Sequence, residues 1–306
     1  MLFRRSYRVS MTLFAEWLGV SRAALYKSEH HFSNYSRLTQ VVLDFVNAER
    51  IINKKMGGVK LHGSFCRDYP QVKVGRDRFL RILRENGRLL RRKRIYKKKR
   101  KSDYSGRQDL AHKLAVAGPG HLWVHDDTEV KTLDGKGHLA LSTDAYSSYV
   151  VGYSWSRRAN SSHVGSALEM GLADHVPGDV KLIHHSDNGS IYASKAYQML
   201  LGDHIVASWS PPGRPDRNPK AERINLTFKQ EYLCDAHTKS FDQLAKELPV
   251  YIRHYNERRP HMSCNNGYPA EVHALMYEPK KLWKQRPISY PVKPSQDEAS
   301  QNSDSP

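Results

Sequence analysis

LWVHDDTEV (122–130), GHLALSTDA (137–145) and SYVVGYSWS (148–156) are three short runs rich in β-branched and aromatic residues. Asp134-Gly135 lies between the first two and Ser147-Ser148 between the last two, both good turn chemistry. The pattern predicts an antiparallel meander. Downstream the texture alternates. SSHVGSALEMGLADH reads as a helix, KLIHHS as a strand, SKAYQMLLGDH as a helix and IVASWS as a strand. A Pro/Gly-rich loop, PPGRPDRNP, then leads to a helix over 219–233. Three strands followed by alternating helices and strands predict a mixed five-stranded α/β sheet over 119–278.

Within the first run, strand alternation sets Leu122, Val124, Asp126, Thr128 and Val130 on one face. Trp123, His125, Asp127 and Glu129 fall on the other. The first set is the more apolar, so Asp126 is expected on a mostly buried face and Asp127 toward solvent. Asp187 closes the later strand KLIHHS-D and is followed by Asn-Gly, so a plain turn is one reading of it. If the two strands are neighbours, Asp126 and Asp187 lie side by side, which like charges resist unless a cation sits between them. Glu222 falls in the first turn of the helix that Pro219 opens, where a contact with the helix dipole is the alternative reading. On that helix Ala221, Ile224, Phe228 and Tyr232 group on one side, with Glu222, Asn225 and Lys229 roughly opposite. Acids from two strands and a helix suit two divalent cations about 4 Å apart, the arrangement for in-line displacement at a phosphodiester. An oxygen-only donor set favours Mg²⁺, with Mn²⁺ as substitute, over zinc.

Outside this core the chain is strongly basic. It has 306 residues, 49 Lys+Arg against 31 Asp+Glu, and a formal charge of +18, which calls for a polyanionic partner, double-stranded DNA above all. Residues 88–101, RLLRRKRIYKKKRK, carry ten basic side chains and no acid. Arg91, Arg92, Lys93, Arg94, Lys97, Lys98, Lys99, Arg100 and Lys101 are therefore candidate phosphate contacts. SMTLFAEWLGVSRAALYK (10–27) has the pattern of a helix-turn-helix. Leu13, Phe14, Trp17 and Leu18 have helical spacing, Gly19 breaks the helix, Ser21 caps a second, and Arg22 and Lys27 on that second helix are candidate DNA contacts. Residues 1–35 read as a helix-turn-helix leader, 36–101 as a further helical DNA-binding segment, 102–118 as a linker and 279–306 as a disordered tail. Cys66, Cys234 and Cys264 are widely spaced and make neither a disulfide framework nor a zinc site, which predicts reduced thiols and a cytoplasmic setting. No stretch approaches the length of a membrane-spanning helix, so no membrane partner is expected.

These residues resemble a known family, the insertion-sequence transposases of the DDE class, with a retroviral-integrase-type core and a fold like ribonuclease H. The resemblance rests on Trp123-Val124-His125-Asp126, on His185 to Tyr192 as His-Ser-Asp-x-Gly-Ser-x-Tyr, and on Asn218, Ala221, Glu222 and Lys229. Tyr255 to His261, with Pro269 and Glu271 beyond, completes it. It covers roughly 7–275. The chain departs from the usual pattern at His125, Glu129, Pro219 and Arg223-Ile224. The resemblance implies Asp126, Asp187 and Glu222 as catalytic and metal-ligating residues, with two Mg²⁺ ions per site. It implies cleavage and strand transfer at the element's ends by transesterification, and a bacterial, nucleoid-associated protein that forms a homo-oligomer on DNA. It also implies a second-reading-frame product, with an upstream-frame protein as a further partner. Lys229, almost two helical turns past Glu222, is expected on the same side, gripping DNA near the cleaved end. The alternative function is a catalytically decayed copy that only binds DNA. A tyrosine recombinase would leave the acids unexplained, and a generic nuclease would not need two upstream DNA-binding segments.

Overall fold

The computed structural model describes residues 9–90, 108–112, 114–174, 181–187, 189–202, 205–211 and 217–279. Four helices come first: α1 (Met11–Trp17), α2 (Arg22–Ile52), α3 (Gly58–Asp68) and α4 (Arg76–Glu85). Ser10 and Ser21 cap α1 and α2 by accepting from the backbone N–H of Leu13 and Ala24. Gly19 takes the left-handed turn between them at φ +64°. The break set at residue 35 does not appear. α2 runs through it for 31 residues, because Phe32-Ser-Asn-Tyr-Ser contains neither proline nor glycine to stop a helix already propagating. The apolar side chains of the first hairpin also differ from expectation. Ala15 and Leu25 are buried, but Leu13, Trp17 and Leu18 are exposed. The real helical core is made further along, where Val42, Phe45 and Val46 of α2 meet Leu61 and Phe65 of α3 and Phe79, Ile82 and Leu83 of α4.

The sheet comprises β1 (Leu122–Thr132), β2 (Gly135–Asp144), β3 (Val150–Ser156), β4 (Leu182–Ser186) and β5 (Ile205–Trp209), in the order β3-β2-β1-β4-β5. The first three form the expected antiparallel meander, and β4 and β5 add in parallel. This is the mixed five-stranded sheet that the sequence pattern predicts. α5 (Ser161–Asp174), α6 (Ser190–Ala193) and α7 (Lys195–Leu201) follow β3 and β4. α8 (Pro219–Thr227) continues into a π-helical turn (Phe228–Tyr232), and α9 (Phe241–Glu257) and α10 (Pro269–His273) complete the chain.

Both faces of the sheet are covered. Trp123, Ala140 and Val151 pack with Val164 and Leu168 of α5 and Tyr197 of α7. On the opposite face Val130, Leu139 and Leu141 pack with Ile224, Phe228, Tyr232 and the α9 residues Leu244 and Leu248. α5 lies close on β3 because Gly152 has no side chain, since a Cβ there would stand 2.1 Å from the Ala167 carbonyl oxygen. The segment expected as a linker is partly built into this core. Leu114 is buried with Leu122, Val124 and Ile183, and the Trp209 N–H donates to the Gln108 carbonyl. Asn256 of α9 acts like a strand neighbour at the start of β3, accepting from the Val150 N–H and donating to its carbonyl. The basic run 91–101 and the C-terminal tail lie outside the described residues.

Candidate active site

β1 and β4 run parallel, with Leu122 opposite Ile183, Trp123 opposite His184 and Val124 opposite His185. Two residues beyond that last pair come Asp126, within β1, and Asp187, just past the end of β4. The sequence left the adjacency of these strands open, and the register supplies it: the two aspartates leave neighbouring strands at the same level. α8 brings the third acid. Its Ala221 packs against Val124 and Ile183, which sets the helix's first turn over the same strands. The Asn218 side chain, just before the helix, donates to the His125 carbonyl at 3.0 Å. Glu222 follows in that first turn.

The electrostatics report the same convergence. Burial raises the Asp126 carboxyl from its ordinary 3.8 to about 7, and the charges of Asp187, Glu222 and Asp127 push the same way. Only the Asn225 amide opposes them, donating to Asp126 Oδ2 at 2.8 Å. Asn225 sits three residues past Glu222, one turn along the same side of α8. The Asp187 carboxyl is also raised, first by the protein packed around it, although the residue keeps an open side. The Gly189 N–H, donating to Asp187 Oδ1 at 2.9 Å, works against that rise. Three acids held together at this cost suit a cation. Among the described residues, however, no three His, Cys, Asp or Glu side chains are drawn in tightly enough to enclose one ion as they stand.

Asp127 does not face solvent as alternation suggested, because α5 covers its face of the sheet. His138 Nδ1 and His163 Nε2 meet its two carboxylate oxygens at 3.0 and 3.1 Å. Burial alone would raise the Asp127 carboxyl, but these hydrogen bonds hold it below its ordinary value. Ala140 is the residue between Asp127 and Ser154 in the register, and its small side chain leaves room for the His163 ring to bridge them. His163 Nδ1 lies 2.9 Å from Ser154 Oγ. His125 is fully buried, 2.9 Å from Ser142 Oγ, and its burial drives its pKa well down. Tyr192, whose hydroxyl is buried without a partner, has its pKa raised by burial and by the aspartates nearby.

Lys229 is exposed, on the π-helical turn rather than on a regular continuation of α8. Glu231 and Asp235 are engaged elsewhere, by Arg259 and by Lys54. Arg22 and Lys27 are exposed near the start of α2. α4, inside the segment read as DNA-binding, exposes Arg76, Arg81 and Arg84 opposite its buried Phe79, Ile82 and Leu83, three arginines that the sequence reading did not single out. Their spacing in GRDRFLRILRENG was the available signal.

β1 and β4 thus carry two acids at one level, with a third on the helix that covers them. The integrase core domain family matches residues 116–215, and a second integrase core domain family matches 204–269. The insertion element IS600 uncharacterized 31 kDa protein of Shigella sonnei is 31% identical over 202 residues, 64% of this chain and 74% of that one. The transposase for insertion sequence element IS904 of Lactococcus lactis subsp. lactis is 30% identical over 175 residues, 56% of this chain and 69% of that one. The catalytic core domain of HTLV-2 integrase, solved in complex with magnesium, is 21% identical with a TM-score of 0.41, covering 51% of this chain and 98% of that one. The chain belongs to the insertion-sequence transposase family with a retroviral-integrase-type core.

Proposed function

We propose that the protein is a DNA transposase that cuts the ends of its element and joins them to a target by transesterification, with Asp126, Asp187 and Glu222 holding two Mg²⁺ ions. The observation that carries this reading is the β1–β4 register, which sets Asp126 and Asp187 abreast under the helix of Glu222. The donor set fits: it is all oxygen, and Asp126 is a carboxylate whose burial, with the acids beside it, makes its charge costly until a cation arrives. When bound, the ions supply Lewis-acid stabilisation of the attacking and leaving oxygens. The chain's own residues hold and orient. Asp126, in the middle of β1, and Asp187, just past the end of β4, form the pair on the sheet, Glu222 completes the set from α8, and Asn225 fixes the rotamer of Asp126 through Oδ2. Asp127, locked by two histidines, stays out of the ligand set.

DNA reaches this site through the basic N-terminal third. In this reading Arg22, Lys27 and the 91–101 run contact phosphates, and Arg76, Arg81 and Arg84 of α4 face the duplex. Lys229 grips the DNA near the cleaved end, and the protein works as a homo-oligomer. No described helix is long and apolar enough to cross a membrane.

Asp126→Asn, Asp187→Asn and Glu222→Gln test the reading in strand-transfer assays on duplexes carrying the element's terminal repeats. Each should abolish cleavage and joining while leaving DNA affinity within about twofold, since the transition-state interaction is lost and the basic segments remain. Asp127→Asn should retain chemistry. Full activity in Asp126→Asn would overturn the assignment.

A further inference from the structure

The rod formed by α8 and the π-helical turn carries a second carboxylate, Glu231, nine residues past Glu222. It plays no part in the acid site, yet it is the most thoroughly bound acid among the described residues. Arg259 grips it from two sides, Nε donating to Oε2 and Nη2 to Oε1, both at 2.7 Å. Lys60 Nζ of α3 adds a bond to Oε1 at 3.1 Å, and Asn53 Nδ2, just past α2, one to Oε2 at 3.0 Å. The Glu231 backbone carbonyl accepts from the Lys55 N–H at 3.3 Å. Every oxygen of the residue is thus held, and three of the donors come from the helical region, 171 to 178 residues away in sequence.

Around this point the two halves of the molecule meet largely through ions. Arg258 Nη2 donates to Glu49 Oε1 at 2.9 Å and to Asp68 Oδ2 at 2.6 Å, and His254 Nε2 lies 3.2 Å from Glu49 Oε2. A contact meant only to hold two domains together is made more cheaply with apolar side chains, because buried ion pairs lose in desolvation much of what they gain in attraction. What they supply is geometry, since a bidentate guanidinium–carboxylate pair tolerates little displacement. The turn that presents Glu231 is π-helical, a departure that recurs at functional positions. It lets Glu231 point inward at Arg259 while Lys229, two residues earlier, stays in solvent.

We propose that Glu231, with Arg259, Lys60 and Asn53, is a joint of positioning residues that ties the DNA-binding helices to the helix of Glu222, so that DNA held by the first is presented to the acids in fixed register. The inference rests on the transposase reading for its consequence in catalysis. Its structural half, that DNA on the helical region is felt in the α8 rod, stands separately. Burial and the charge of Arg259 depress Lys60 to about 8, in keeping with a lysine held inside the joint rather than lying across it.

Lys60→Met is the test, because it removes one arm while Arg259 and Asn53 still hold the carboxylate and the fold. On terminal-repeat duplex at saturating concentration the variant should cleave at least tenfold more slowly than wild type and scatter its cuts over neighbouring phosphodiesters. Half-saturation should stay within about twofold and the melting temperature within a few degrees. Lys60→Arg should restore both rate and cut position. Cleavage at the wild-type rate and position, or a parallel fall in affinity, melting temperature and rate, would overturn the joint. If the wild type itself neither cuts nor joins, the transposase reading fails, and amide hydrogen exchange judges the joint alone. The same duplex should slow exchange across Phe228–Tyr232 in wild type, but only in the helical region of Lys60→Met. Identical protection in both proteins would refute it.

Discussion

Replacing Asp126 by Asn should make the metal-free protein more stable at pH 8 while destroying its chemistry. The carboxyl is raised from 3.8 to about 7, first by burial and then by Asp187 and Glu222. The folded chain therefore holds this proton more tightly than the unfolded chain, and stability present below pH 3.8 is lost as the pH rises toward 7. At full burial that interval corresponds to about 4 kcal/mol. Asp126 keeps some solvent contact, so about 2 kcal/mol is the expected gain on removing the charge. The amide can still accept from Asn225 through its oxygen, so the hydrogen bond at Oδ2 need not be lost. Urea unfolding of EDTA-treated wild type and Asp126→Asn at pH 8 and near pH 4 measures the difference directly, because every other group titrates in both proteins. The variant should lead at pH 8, and the gap should close near pH 4. Millimolar Mg²⁺ should then stabilise wild type and leave the variant nearly unmoved. A variant less stable at pH 8, or a gap equal at both pH values, would refute the argument that the Asp126 charge is held at a cost set first by burial and then by the acids beside it.

The joint at Glu231 has the opposite sign. Burial would raise it, but Arg259, Lys60 and Asn53 depress it from 4.5 to about 2, so its contribution is present above pH 4.5 and lost as pH falls toward 2. Glu231→Gln should cost about 3–5 kcal/mol at pH 7, because Arg259 is left buried and unpaired, and should flatten the acid limb of a stability–pH curve. Asn225→Ala removes the donor to Asp126 and should slow single-turnover cleavage about ten- to a hundredfold, with the acid limb of its pH profile moved upward. Changing Lys97, Lys98, Lys99, Arg100 and Lys101 together to Ala should flatten the salt dependence of DNA binding by roughly 0.9 for each phosphate no longer neutralised, equally on terminal-repeat and random duplex. Lys229→Ala should weaken joining and end-binding, yet leave Mn²⁺-dependent cleavage on saturating DNA partly intact.

The strands of the core were legible because their signals are local: alternation, Asp134-Gly135, and the apolar lead into His184. Asp126 and Asp187 could be read as a pair once their strands were taken as neighbours, and parallel pairing at one register made them so. Asp127 could not be read this way. Its partners lie 11 and 36 residues away, on a neighbouring strand and on α5, and alternation does not say that both faces of a sheet will be covered. The boundary at 35 failed for a complementary reason, since nothing in the backbone chemistry there stops the helix. The π-helical turn had no signature in the spacing of Ala221, Ile224, Phe228 and Tyr232, all of which are buried as the α-helical pattern suggested. On the other side Lys229 is exposed while Glu231, two residues on, is drawn to Arg259.

The uninterrupted α2 acts as a ruler. Its 31 residues at 1.5 Å each span about 46 Å, the length of about 13 base pairs of duplex. One end is fastened to the core through Glu49, while Arg22 and Lys27 stand at the other. With Arg22 and Lys27 on the duplex, as proposed, a rod of that length fixes a separation instead of permitting a range, so a footprint on the element's end should extend more than a full turn of DNA from the scissile phosphate. Inserting five base pairs between the two contacted stretches would rotate one half a turn away from the other, while inserting ten would restore their facing but overrun the arm.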